Sequence, residues 1–157
     1  MIRKYLWVLF VLLLAACGRD NPRFQKGLAE QTAVAFFNDL SAGRYEKAAA
    51  MYAGDYATLA SLTSEISSND LAALWKNGCE ISGLQCLPIY RIINTEKFSL
   101  NEFGISVEFK DPYGGVFVQG PCCGATAEEM PPVSQFDVYV IERDNNYYVT
   151  SLPVLLP

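Results

Sequence analysis

Two kinds of side chain in this sequence could do chemistry, cysteines and strand carboxylates. The chain has no histidine, which removes the commonest general base and the commonest metal ligand together. The cysteines are Cys17, Cys79, Cys86, Cys122 and Cys123. Thioredoxin-type redox chemistry needs C-x-x-C, and zinc sites are built from pairs of similar spacing. Here Cys79 and Cys86 are too far apart for either pattern and Cys122 and Cys123 are adjacent. These spacings favour structural disulfides, with no metal and no cofactor expected. Acid–base work would need a carboxylate against an apolar wall. The candidates are Asp137, Glu108 and Glu142. Glu108 alternates with the apolar residues of its strand and should point to solvent. Asp137 shares a face with Tyr139 and Ile141 and is the weak catalytic candidate. Ionised groups avoid cores unless paired, so solvated strand carboxylates are the simpler reading for all three, as they are for Glu128 and Glu129.

Compartment decides how the cysteines should be read. Arg3 and Lys4 precede an apolar run from Tyr5 to Ala16, which small residues close. Charge, apolar core and small-residue exit are the parts of a secretory signal. The run is short of the about 20 apolar residues that span a bilayer. Leu14-Ala15-Ala16-Cys17 resembles the lipobox of bacterial lipoproteins. That resemblance implies cleavage between Ala16 and Cys17 and a lipid (such as palmitate) on the Cys17 thiol. Two or three acyl chains anchor stably where one holds only marginally. Gly18 stands where an Asp would favour inner-membrane retention in enteric-type bacteria. The expected location is therefore the bacterial cell envelope, lipid-anchored, leaning to the outer membrane and facing the periplasm.

Residues 1–16 are thus read as a signal peptide, 17–25 as a lipidated tether and 26–157 as one domain, long enough to bury a core. The chain of 157 residues carries 12 basic and 17 acidic side chains, net −5. Loss of Arg3 and Lys4 with the leader moves the balance to −7. A net acidic chain without a basic stripe is a poor nucleic-acid ligand, because phosphate contacts need Lys and Arg. Electrostatic adhesion to anionic lipid is likewise not expected, which leaves membrane attachment to the acyl chains.

The elements that must position any site change period midway. From Lys26 to Leu40 the apolar residues Leu28, Thr32, Ala35, Phe36 and Leu40, widened by Ala29, Ala33 and Phe37, predict an amphipathic helix closed near Gly43. A second helix is predicted over Tyr45–Tyr52. A short third is capped by Asp55, and a fourth runs from Asn69 or Asp70 to Asn77-Gly78. Beyond Gly78 the period becomes that of strands. Strands are predicted over Leu87–Lys97, Phe103–Lys110, Val116–Val118, Phe136–Glu142 and Tyr147–Leu152, with turns at 111–115 and 144–146. Gly120–Pro132 is irregular. Helices followed by an antiparallel meander indicate an α+β fold with the helices on one sheet face.

The stretch Ala33–Tyr52, with Phe36-Phe37, Gly43-x-Tyr45 and Ala48-Ala49-Ala50-x-Tyr52, resembles the opening of NTF2-like domains. Asn145-Asn146-Tyr147-Tyr148-Val149 resembles their closing hairpin. The resemblance implies a cone in which a curved antiparallel sheet wraps the helices, with a pocket at the wide end and an outer sheet face that often dimerises. The histidines of dehydratase-like members are missing, and the cysteine-bearing loop is not typical. Tyr52, Tyr56, Trp75, Phe103 and Phe109 are the candidate pocket aromatics, although buried aromatics more often simply pack as core. Tyr90, Ile92, Tyr139 and Ile141 lie out of phase with the inward set and would form an apolar outer-face patch of the kind that marks interfaces.

With Cys17 lipidated, Cys79, Cys86, Cys122 and Cys123 remain, and disulfides are the default in an exported protein. Four cysteines allow three pairings. Joining Cys122 to Cys123 would strain a small ring. The two other pairings both staple the segment 78–87 to the irregular loop, and the sequence does not choose between them. The first expectation is a non-enzymatic, lipid-anchored domain that binds a small apolar ligand or a protein partner. One alternative is a structural subunit of an envelope complex, or a homodimer, joined through the outer sheet face. The other is a pocket isomerase or hydrolase of the NTF2-like kind that uses Asp137 and a tyrosine.

Overall fold

A computed structural model describes residues 21–63 and 65–155. The leader 1–16 and the lipidation position Cys17 lie outside the described residues. Four helices are followed by four strands: α1 (Pro22–Ser41), α2 (Tyr45–Ala50), α3 (Ala57–Ser61), α4 (Leu71–Glu80), β1 (Ile89–Lys97), β2 (Glu102–Phe109), β3 (Phe136–Arg143) and β4 (Asn146–Val149). The strands pair antiparallel in sequence order. The fold is α+β, as the change of period predicts.

Helix α1 begins earlier than its apolar stripe. Asn21 caps it by accepting from the Arg23 N–H at 3.0 Å, and Pro22 occupies the first helical turn, where its missing N–H costs nothing. Residues 22–25, read as tether, are therefore helical. The inward side of α1 buries Ala29, Ala33, Phe36, Phe37 and Leu40, and α1 touches all four strands. Helix α4 starts at its Asp70 cap, which accepts from the Ala73 N–H at 3.0 Å. It runs through Gly78 to Glu80 rather than stopping there. At Gly78 the side chains of Leu59 and Leu84 close against the helix, and a Cβ would lie 2.6 Å from Leu84 Cδ1. The glycine provides space, not a stop.

On the inner sheet face Phe103, Ile105, Val107 and Phe109 join Val138, Val140 and Val149 in the core. The expected alternation of β1 fails. Its register against β2 shifts twice, between Ile89 and Arg91 and between Ile92 and Asn94. The extra residues are Tyr90 and Ile93. Two bulges turn Ile89, Ile92 and Thr95 inward, and Ile92 packs on the core. Ile92 is therefore not an outer-face residue; Ile93 takes that place. Val116–Val118 is not a strand but an isolated bridge from Val116 to Lys110, extended by the Phe117 N–H donating to the Phe109 carbonyl at 2.8 Å.

The cysteine pairing also differs. Cys79 is bonded to Cys86, with Cα atoms 5.5 Å apart, and Cys122 and Cys123 are free. The predicted staple to the loop does not form. The turn after α4 brings Cys86 back beside the helix end, tied by the Leu84 N–H donating to the Gly78 carbonyl at 3.0 Å. The irregular loop is closed at its base by the Gln119–Val133 bridge. Among the described residues, no helix is long and apolar enough to cross a membrane.

Candidate functional site

The predicted pocket aromatics form part of the packed interior. Trp75 and Phe103 are fully buried, Phe109 and Tyr52 nearly so. Tyr52 stacks on Phe36 at 5.9 Å and meets Trp75 edge-on at 5.0 Å. Tyr56 meets Tyr52 edge-on at 5.0 Å and accepts from the Trp75 indole N–H at 3.2 Å. Phe109 joins the same cluster through Phe37 at 4.9 Å. Rings at these separations and tilts fill space as a core does. Burial, then the nearby Tyr56 and Asp55, pushes the Tyr52 hydroxyl up to about 12, which makes it a poor proton donor near neutral pH. Phe103 stands apart, near Tyr147. It borders a hollow of about 190 Å³ beside the start of α1, lined also by Pro22, Arg23, Lys26, Thr95 and Lys97.

The outer face of the sheet is arranged differently. Cross-strand register sets two adjacent rows over three strands. Asn94, Ser106 and Asp137 form one, and Glu96, Gly104 and Tyr139 the next. With Phe98 these residues line a hollow of about 160 Å³. Ser106 donates its hydroxyl to Asp137 at 2.6 Å, and Asn94 donates to Glu96 at 3.0 Å. The floor is Gly104, whose missing Cβ admits the Phe98 ring: a Cβ would lie 2.3 Å from Phe98 Cε2. Phe98 and Tyr139 rings then stand 6.1 Å apart over the sheet. Phe98 and Tyr139, which border the hollow, are exposed, as are Tyr90 and Ile93 on β1; Ile141 is half-buried. Three of the four predicted outer-face residues, Tyr90, Tyr139 and Ile141, lie on this face.

Asp137 is exposed and belongs to this outer face, across the sheet from the aromatic cluster. The Phe98 and Tyr139 rings border the same hollow, but they leave Asp137 open to solvent rather than enclosed as an isomerase-type base must be. Glu108, expected in solvent, is buried to 4 % exposure and accepts from the Arg91 Nε at 2.7 Å. The carboxylate pushes the Arg91 guanidinium further up, first by that hydrogen bond and then by its charge. Glu142 is half-buried near Tyr147 and pushes that hydroxyl up, second to burial, to about 12. Among the described residues, no group of three or more acidic or cysteine side chains is placed to hold a metal ion.

Asn94, Glu96, Phe98, Gly104 and Ser106 did not stand out in the sequence. Each is ordinary alone, and the hollow exists only through pairing register, which the bulges of β1 set. The small residues on the outer side of β2 between core residues, Gly104 and Ser106, were the available signal. No protein-family model matches the chain, and no curated protein is significantly similar to it.

Proposed function

We propose that this is a non-enzymatic, lipid-anchored protein of the bacterial envelope that works by binding a protein partner through the outer face of its sheet. The observation that carries the reading is the set of exposed apolar side chains on the sheet's outer face. The interior aromatics pack on one another, whereas Tyr90, Ile93, Phe98 and Tyr139 are exposed, Phe98 and Tyr139 bordering a hollow with polar residues. Exposed apolar groups rimmed by polar ones favour protein contact, and tyrosines are good anchors at interfaces. A small apolar ligand would need the interior space that these rings occupy.

Two further observations support the anchor. The Cys79–Cys86 bond suits an oxidising compartment. Asn21 follows Cys17 by four residues, a reach of about 14 Å when extended, so a lipid on Cys17 would hold the start of α1 at the membrane surface. Arg23, Lys26 and Lys97 gather there around the hollow beside Phe103. This local cluster suits anionic head groups although the chain as a whole is acidic. The NTF2-like cone fits the order of elements and the helices on one sheet face, and it is offered as part of the same reading.

A photo-crosslinking residue placed at position 139 of the full chain in living cells tests the partner. The expected result is a discrete adduct to one envelope protein, absent when the same residue replaces Tyr113, which is 98 % exposed. An adduct of twice the chain's mass makes the partner a second copy. Equal or no crosslinking at both positions contradicts the proposal.

A further inference from the structure

The loop between Gln119 and Val133 carries a feature that partner binding leaves unused. Its ends are pinned by paired hydrogen bonds, the Gln119 N–H to the Val133 carbonyl at 2.8 Å and the Val133 N–H to the Gln119 carbonyl at 2.9 Å. Within it Cys122 is half-buried and Cys123 exposed. Their Sγ atoms are 2.8 Å apart. Such proximity is not automatic for neighbouring residues, whose side chains diverge in regular structure. It follows here from a turn. The Ala125 N–H donates to the Cys122 carbonyl at 2.9 Å, Cys123 has φ 59° and Gly124 φ 89°. A left-handed residue other than glycine, asparagine or aspartate is uncommon, and here it folds the two thiols onto one side of the chain.

We propose that Cys122 and Cys123 form a thiol–disulfide exchange site whose substrate is an exogenous disulfide, either a small-molecule or a protein one. The Cys123 thiolate attacks one sulfur of the substrate disulfide, a mixed disulfide forms, and one thiolate leaves. Cys122 then gives up its proton and attacks the Cys123 sulfur, which expels the second thiolate. The protein dithiol loses two electrons and two protons; the substrate gains them as two thiols. A dithiol reductant reverses the sequence. The order of attack follows from exposure, since access governs which thiol reacts first. It also follows from the hydrogen bond to Cys123, which together with burial and the charge of a neighbouring thiolate holds the Cys122 thiol above its ordinary range.

The two cysteine pairs then divide the work. Cys79 and Cys86 pack against the core and form a structural bond. A disulfide between adjacent residues in an exposed loop is of the strained, labile kind that exchanges readily. This division does not depend on lipidation at Cys17.

The test uses the full chain, reduced under conditions that spare the Cys79–Cys86 bond, then treated with oxidised glutathione, quenched with acid and alkylated. Trypsin releases residues 111–143 as one peptide that holds Cys122 and Cys123 and no other cysteine. The expected peptide is lighter by two hydrogens, bears neither glutathione nor alkyl groups, and returns to two alkylatable thiols on dithiol treatment before Cys79–Cys86 opens. In the Cys122→Ser chain the reaction should stop at a stable glutathione adduct on Cys123. Two alkylated thiols after oxidation, glutathione on the wild-type pair, bridges to Cys79 or Cys86, or no adduct in Cys122→Ser would each overturn the proposal.

Discussion

Glu108 alternates with the inward side chains of β2 and is nonetheless buried, because Arg91 on β1 stands opposite it in register. Removing the arginine leaves a carboxylate with little water and no counter-ion. Arg91→Ala is therefore expected to lower the urea midpoint clearly, and to lower it much less in a Glu108→Gln background. Equal losses in both backgrounds would show that the pair is not coupled. The core tyrosines give a pH signature. Burial holds the Tyr52 hydroxyl at about 12 in the folded chain, against 10.0 for an ordinary tyrosine, and Tyr147 is shifted likewise. The folded state keeps these protons more tightly than the unfolded state. Their contribution is complete below pH 10 and is lost as pH rises through about 12. Urea midpoints should fall steeply over that window, and less steeply in Tyr52→Phe; an unchanged slope in that variant would remove Tyr52 from the account. The buried aromatics were legible in the sequence as an inward set. The Arg91–Glu108 pair was not, because alternation says which face a residue takes and nothing about what stands across from it.

Elements tested the reading of periodicity. The four helices and the four long strands follow from where the apolar period changes, with end points displaced by local chemistry such as the Asn21 cap and Pro22. Strand β1 is the exception. Its bulges cannot be seen in IYRIINTEK (89–97), where inward residues fall every third position and imitate neither a helix nor a plain strand. At α4, magnitudes decide the role of Gly78. Alanine would gain about 1 kcal/mol of helix propensity but overpack Leu84 and Leu59, at a cost of about 1–3 kcal/mol. Leu84 is buried, so its side chain would have to shift within the core. Gly78→Ala should destabilise by up to about 2 kcal/mol in urea titration; a stabilised variant would mean the contact yields. The short loop closed by Cys79–Cys86 limits its entropic effect, so the double Cys79→Ala/Cys86→Ala chain should lose about 2–3 kcal/mol. Replacing Cys122 and Cys123 together by serine should change stability by less than about 0.5 kcal/mol, since neither packs in the core.

At the scale of the molecule, the proposal assigns the membrane anchor to Cys17 and partner binding to the outer sheet face. Replacing Cys17 by serine should abolish palmitate labelling and move the chain from the membrane to the soluble fraction, with its fold and outer face intact. Retention in the membrane at unchanged level would remove the lipid from the account. The expected leader and lipidation cysteine are linear patterns, the kind a sequence can suggest unaided. The outer hollow was not, because it is assembled from three strands. The central claim is that the sheet's outer face is covered in the envelope while the opposite aromatic cluster only fills the core. Hydroxyl-radical footprinting of the anchored chain in its own membrane, against the purified Cys17→Ser chain, tests this most directly. The account predicts that Tyr90, Phe98 and Tyr139 become several-fold less reactive in the membrane preparation, while Tyr113 stays equally reactive in both. Equal reactivity of Tyr90, Phe98 and Tyr139 in the two preparations would contradict it.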